Sequence, residues 1–161
     1  MSVSVPLETL LDYSDHERRK WHDWFAADVF RLEIPVQPGD EFPTAAHLLD
    51  HVVLVERCHL ARLEGGTPPE TTGIPHADLE ALFEYAALVR ADLRRYLADL
   101  DEEDARGPIV VELEGGTFTM TRRKLATHIV LHEVRHLAQL ALAARLAGHA
   151  PPGEHDLLYC P

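Results

Sequence analysis

The chain has 161 residues, 46% of them apolar, and sets 15 Lys and Arg against 27 Asp and Glu, a net charge of −12. That length fits one domain, 1–161, with a core that needs no disulfide or metal staple. The acidic balance argues against a nucleic-acid partner, whose phosphates would be held by clustered cations.

The first periodic segment runs from about Leu7 to Phe30. Leu10, Tyr13, Trp21, Trp24 and Phe25 recur at helical spacing, with Asp15, Arg18, Arg19, Lys20 and Asp23 on the other side. Pro35, Pro38, Gly39 and Pro43 then enforce a loop. A second helix starts after Pro43 with Thr44 as N-cap and ends near Gly65-Gly66; Leu48, Val52, Val55, Cys58 and Leu63 form its apolar side. Thr67 to Pro75 is turn-rich, and the long stretch between the second and third helices leaves room for a crossover connection whose handedness the sequence does not fix. A third helix covers about Ala77 to Asp104, its buried stripe being Leu79, Leu82, Phe83, Ala86, Leu93, Tyr96, Leu97 and Leu100. From Ile109 to Met120 the period changes, and β-type residues surround Glu114-Gly115-Gly116 as a short hairpin. The fourth helix, Thr121 to Ala147 with Gly148 as its C-cap glycine, is apolar almost all round and is expected to be the most buried. The tail from His149 to Pro161 reads as extended strand or coil. The fold class is all-α: a four-helix bundle with a short β-hairpin or extended insert before the last helix.

Two cysteines, Cys58 and Cys160, are too few for a disulfide framework, and Cys58 reads as core rather than nucleophile. Without a basic n-region and apolar block near the start, and without an apolar run of membrane-spanning length, the chain is expected to be cytoplasmic, with no membrane partner.

The last helix carries His128, His132 and His136, one turn apart on one face. All three cannot share an ion, since eight residues of helix separate the outer pair by about 12 Å, but adjacent ones can. The second helix adds His47, His51 and His59, and spacing does not choose among them. Imidazole donors suit Zn, Ni, Cu or Fe, and three of them would leave positions open for water or substrate.

His132-Glu133-Val134-Arg135-His136 is also an HExxH string, the signature of zinc proteases with the glutamate as base. The extended form wants Gly and His downstream, where Gln139 and Leu142 stand, and the alternative downstream acid would have to be Glu154 in the tail. A di-iron carboxylate bundle would use Glu56-x-x-His59 and Glu133-x-x-His136 with Glu17 as a further carboxylate, but the stripe of the third helix carries no acid.

LLDHVVLVERCHLARL, followed by THIVLHEVRHLAQLALAARLAG, resembles the DinB/YfiT-like family of metal-binding four-helix bundles. The resemblance extends to Tyr13 and Trp21, to Gly-Thr-Phe-Thr-Met before the last helix, and to Asp156 to Tyr159. It implies His51, His132 and His136 as metal ligands, with Glu56, Glu133 and Gln139 as residues that orient a ligand or relay a proton. A doubled histidine common in the family is absent, since Arg135 precedes His136 and Leu137 follows it. The cofactor it implies is a divalent transition metal, zinc or nickel first. The implied chemistry activates a low-molecular-weight thiol, or water, toward a small electrophilic substrate, as in a thiol-dependent transferase or a hydrolase; the competing class is a non-catalytic, stress-associated metal-binding bundle. Family resemblance also implies a homodimer. Duplex DNA is expected to show no measurable binding at physiological salt in a mobility-shift assay, and tight, salt-sensitive binding would contradict the charge argument.

Overall fold

The computed structural model describes residues 5–36, 42–113 and 115–160. Pro38, Gly39, Glu114 and Pro161, assigned above to turns and tail, lie outside them. The helices are α1 (Leu7–Ala26), α2 (Ala45–Leu63), α3 (Leu79–Asp99), a short α4 (Glu102–Arg106) and α5 (Arg122–Leu146). A hairpin of β1 (Pro108–Leu113) and β2 (Gly116–Thr121) stands between α4 and α5. No helix among the described residues is long and apolar enough to cross a membrane.

Two helices are shorter than periodicity predicts, and capping explains both. The first stops at Ala26 because Asp28 turns extended and its side chain accepts from Phe30 N–H, opening a separate 3₁₀ turn over Val29–Glu33. Phe30 is consequently 83% exposed. The third starts at Leu79, where Asp78 accepts from Ala81 N–H, and ends when Leu100 becomes extended. Asp101 then caps α4 through Asp104 N–H, so Asp104 belongs to a different helix. At the start of α5 the Thr121 hydroxyl accepts from Lys124 N–H. At its end Gly148 takes φ +83°, which lets His149 N–H reach back to Ala144 O at 2.9 Å.

Cross-helix pairs fix the topology. Arg18 meets Ala86 while Arg94 meets Glu8 and Asp12, so α1 and α3 are antiparallel neighbours. His51 faces His132 and His59 faces His128, so α2 and α5 are antiparallel. Leu49 and Val53 sit with Leu82 and Ala86, and Leu63 with Tyr96, so α2 and α3 run parallel. A connection between parallel neighbours must travel the length of the bundle, and residues 64–78 do so. The order around the bundle is α1, α5, α2, α3, an up-down-down-up arrangement with one crossover.

The apolar core lies in two parts. One gathers Trp21, Phe25, Leu48, Leu82, Leu137 and Leu140; the other Leu11, Leu60, Leu93, Leu125, Ile129 and Val130. Buried polar residues Ser14, Glu56, Arg90 and Glu133 lie between them. The last helix is less buried than its composition predicts. It packs on α2 and α1, and its third side faces solvent, leaving Leu131, Leu142 and Leu146 exposed. The tail returns along α1: His155 stacks on Trp21 at 5.5 Å and its Nδ1 lies 2.5 Å from Glu17. Leu157–Tyr159 forms a 3₁₀ turn there rather than a strand.

Phe25 in the last turn of α1 and Phe30 in the following 3₁₀ turn separate these packing environments. Phe25→Ala should cost about 3–5 kcal/mol through cavity formation. Phe30→Ala should stay within about 0.5 kcal/mol. Urea unfolding monitored by circular dichroism checks both, and equal losses would contradict the helix end at Ala26.

Candidate metal centre

The site sits on the seam between α2 and α5. Positions 132 and 136 are one turn apart, so their imidazoles project from the same side of α5. Opposite them α2 presents His51. His132 Nε2 lies 3.1 Å from His136 Nε2 and 3.3 Å from His51 Nε2. Among the described residues these are the three side chains whose donor atoms come close enough together to hold a metal ion. Two imidazole nitrogens bound tetrahedrally to one ion at 2.0–2.1 Å stand about 3.3–3.4 Å apart, close to the spacing seen.

The other histidines of α2 go elsewhere. His47 Nδ1 meets the Thr44 hydroxyl at 2.8 Å, and its ring packs on His76. Thr44 thus stands at the N-cap position, but its hydroxyl serves His47 instead of the helix backbone. His59 is buried, accepts from Arg62 Nη1 at its Nδ1, and faces His128. The choice that spacing left open is made by which turn of α2 faces which turn of α5.

The electrostatics favour neutral rings. Burial, and then repulsion from His136, lower His51 to about 4. Burial with repulsion from His136 and His51 lowers His132 to about 3. His136 is lowered too, chiefly by burial, although its bond to Gln139 opposes the shift. At neutral pH all three are unprotonated and able to donate lone pairs. His136 Nδ1–H donates to Gln139 Oε1 at 2.5 Å, which fixes the tautomer and points the Nε2 lone pair inward. Phe42 covers His51 at 4.2 Å between ring centroids.

Glu56 and Glu133 turn away from these rings toward the bundle axis. Glu133 accepts from the Ser14 hydroxyl, from Arg18 Nε and, at 2.8 Å, from Arg90 Nη2. Glu56 accepts from Arg18 Nη2 and, at 2.7 Å, from Arg90 Nε. Arg90 Nη1 also reaches Asp15 at 2.6 Å. Burial alone would raise the Glu56 carboxyl, but Arg18 and Arg90 more than reverse it and hold the group below the usual range. Each glutamate is therefore a charged partner for two guanidiniums, and among the described residues neither bonds to a histidine. Of the three residues expected to orient a ligand, Gln139 is the one that touches a ring.

The same contacts bear on the competing readings. The HExxH glutamate has its oxygens occupied by Ser14, Arg18 and Arg90, which leaves no free base. Glu154 lies beside α1, its carbonyl accepting from Lys20. The two carboxylates that a di-iron centre would share already form a layer with two arginines, and Glu17 pairs with Lys20 and His155.

Arg18 and Arg90 are the residues that the sequence pattern hides. Arg18 falls among the polar residues of the first helix, yet its side chain is only 12% exposed. Arg90 falls in line with Ala86 and Leu93 in the buried stripe of α3. An arginine in a buried stripe, opposite glutamates in two others, is the signal for such a layer.

An up-down-down-up helical bundle with three convergent histidines on one seam defines a histidine-centred bundle protein. The chain belongs to the DinB family, whose family model matches residues 1–159. A search of curated proteins finds no match.

Removing one cation from the layer tests its role. Arg90→Ala leaves Glu56 and Glu133 buried with Arg18 alone and should cost about 3–5 kcal/mol. A urea midpoint unchanged from wild type would show that the layer does not hold the helices together.

Proposed function

We propose that the chain is a metal-dependent enzyme in which His51, His132 and His136 hold one divalent transition metal, zinc or nickel, and that it activates a small thiol, or water, toward a small electrophile. The observation that carries this reading is the convergence of three neutral imidazole nitrogens at 3.1 and 3.3 Å spacing. A divalent ion held by neutral donors keeps its full charge and lowers the pKa of a thiol or water bound at an open position.

The protein's own residues set the remaining conditions. Gln139 fixes the ring of His136, and Phe42 shields one side of His51. Glu133 is engaged by two arginines and does not act as the base, so the thiol proton passes to solvent. The sulfur then forms its bond to the electrophilic carbon, and the leaving group departs with the bonding pair. Cys58 is not the nucleophile: burial raises its thiol, and Sγ lies 3.2 Å from Pro69 O. Both cysteines are free, in keeping with a reducing cytoplasm. The assembly proposed is a homodimer, on family resemblance.

Protein purified without a histidine tag should carry about one equivalent of zinc or nickel, because one three-histidine set holds one ion. His51→Ala and His132→Ala should lose it, whereas Glu133→Gln should keep it while being less stable. Elemental analysis of folded protein reads all three, and metal retained by both histidine variants would overturn the site. Consumption of thiols with electrophiles then reads catalysis. A metal-loaded protein that turns over none of several thiols would instead be a non-catalytic metal-binding bundle.

A further inference from the structure

The hairpin between α4 and α5 has one apolar face. Its register pairs Ile109 with Met120, Val111 with Phe118 and Leu113 with Gly116. Alternation along each strand therefore turns Ile109, Val111, Leu113, Phe118 and Met120 toward the helices. At the base of the hairpin this face is filled, and Val111 is 1% exposed. Toward the tip the same face is not filled: Leu113 and Phe118 are 45% and 44% exposed. Beneath them lies a cavity of about 160 Å³ with Leu125, His59 and His128 as its floor and Lys124 at its edge.

This cavity adjoins the candidate metal centre. The ring of His128 stands 5.6 Å from that of His132 and 5.3 Å from that of His59. One helical turn, about 5.4 Å, thus separates a ligand histidine from the cavity wall. An apolar cavity of about 150 Å³ accepts a benzene ring, so the volume suits a phenyl group or a branched chain of about six carbons.

The charge beside it is also specific. Lys124 edges the cavity, and Arg62 donates to His59 Nδ1 in its floor. Glu64 is paired with Arg57 and Glu102 with Arg123. Lys124 and Arg62 have no ion-pair partner among the described residues. Lys124, which lines the cavity itself, is thus available to an anionic group.

We propose that the cavity under the hairpin is the recognition pocket for the substrate, and that the substrate class is a small anion bearing a phenyl or similar six-carbon apolar group. The apolar group lies against Leu113, Phe118 and Leu125, the anionic group reaches Lys124, and the reactive carbon is directed past His128 toward the three histidines. This inference rests on the reading of that centre as a metal site, and its test reads the two separately.

Phenylacetate and the neutral ethylbenzene serve as probes, followed through methyl resonances in zinc-loaded protein. Phenylacetate should shift Val111, Leu113, Met120 and Leu125 while the methyls of Leu48 and Leu140 stay still. Leu113→Trp, at a half-exposed position, fills the space and should weaken phenylacetate by about tenfold or more with zinc content unchanged. Lys124→Gln should weaken phenylacetate and leave ethylbenzene as it was. His51→Ala, stripped of metal, should still bind phenylacetate. Pocket methyls that do not move, or binding indifferent to Leu113→Trp, overturns the pocket. A wild type that takes up no zinc yet binds phenylacetate leaves the pocket standing and overturns the centre.

Discussion

The structure depends on a buried layer of opposite charges. Arg18 from α1, Glu56 from α2, Arg90 from α3 and Glu133 from α5 meet at the bundle axis, one from each long helix. Apolar packing is tolerant of rotation, because a leucine stripe can roll against its neighbour at small cost. Charged groups taken out of water are not tolerant, since each must keep its partner or be left uncompensated. The layer therefore sets the rotation and height of all four helices at once. It also divides the core into an upper and a lower apolar part.

The histidine seam follows from that registration. On a helix turning about 100° per residue, fixing Glu133 inward sends His132 and His136 to the same flank of α5. Fixing Glu56 inward on α2 brings His51 round to meet them. The HEVRH string thus serves two environments. Its glutamate belongs to the ionic interior, and its histidines belong to a partly solvated seam where desolvation, joined at His132 by repulsion from its neighbours, keeps them neutral. The guanidiniums of Arg18 and Arg90 are taken up by the glutamates, while the donor nitrogens of the histidines face one another.

Periodicity carried much of this architecture. The buried stripe of α3, the change of period at Ile109 and the glycine at position 148 each express a local rule, and each is met in the structure, whereas the all-round apolar wheel of the last helix leaves Leu131 and Leu146 in solvent. Helix ends were less legible, because Asp28 and Asp101 act as caps only where the chain has already turned extended. The pairing of His132 with His136 was local and readable. The choice of His51 over His47 and His59 was not, since it depends on the relative height of α2 and α5, a tertiary quantity that entered through family resemblance. Arg18 and Arg90 escaped for a related reason. An arginine is assigned to solvent by its own character, and only its distant acidic partners pull it inward.

The connectivity of the bundle carries a further consequence for how the protein comes together. His51 and His132 are 81 positions apart, with the crossover, α3 and the hairpin between them. Contacts of that separation close a long loop, which costs entropy before it returns any packing. The seam is therefore a long-range contact that exists only where α5 is docked against α2. A ligand bridging its three imidazoles recognises the finished bundle and has little hold on the unfolded chain. Such a ligand slows the opening of the bundle far more than it hastens its assembly. A metal held there, as proposed, would be a fastening applied to a completed fold, and its occupancy would lengthen the lifetime of the native state.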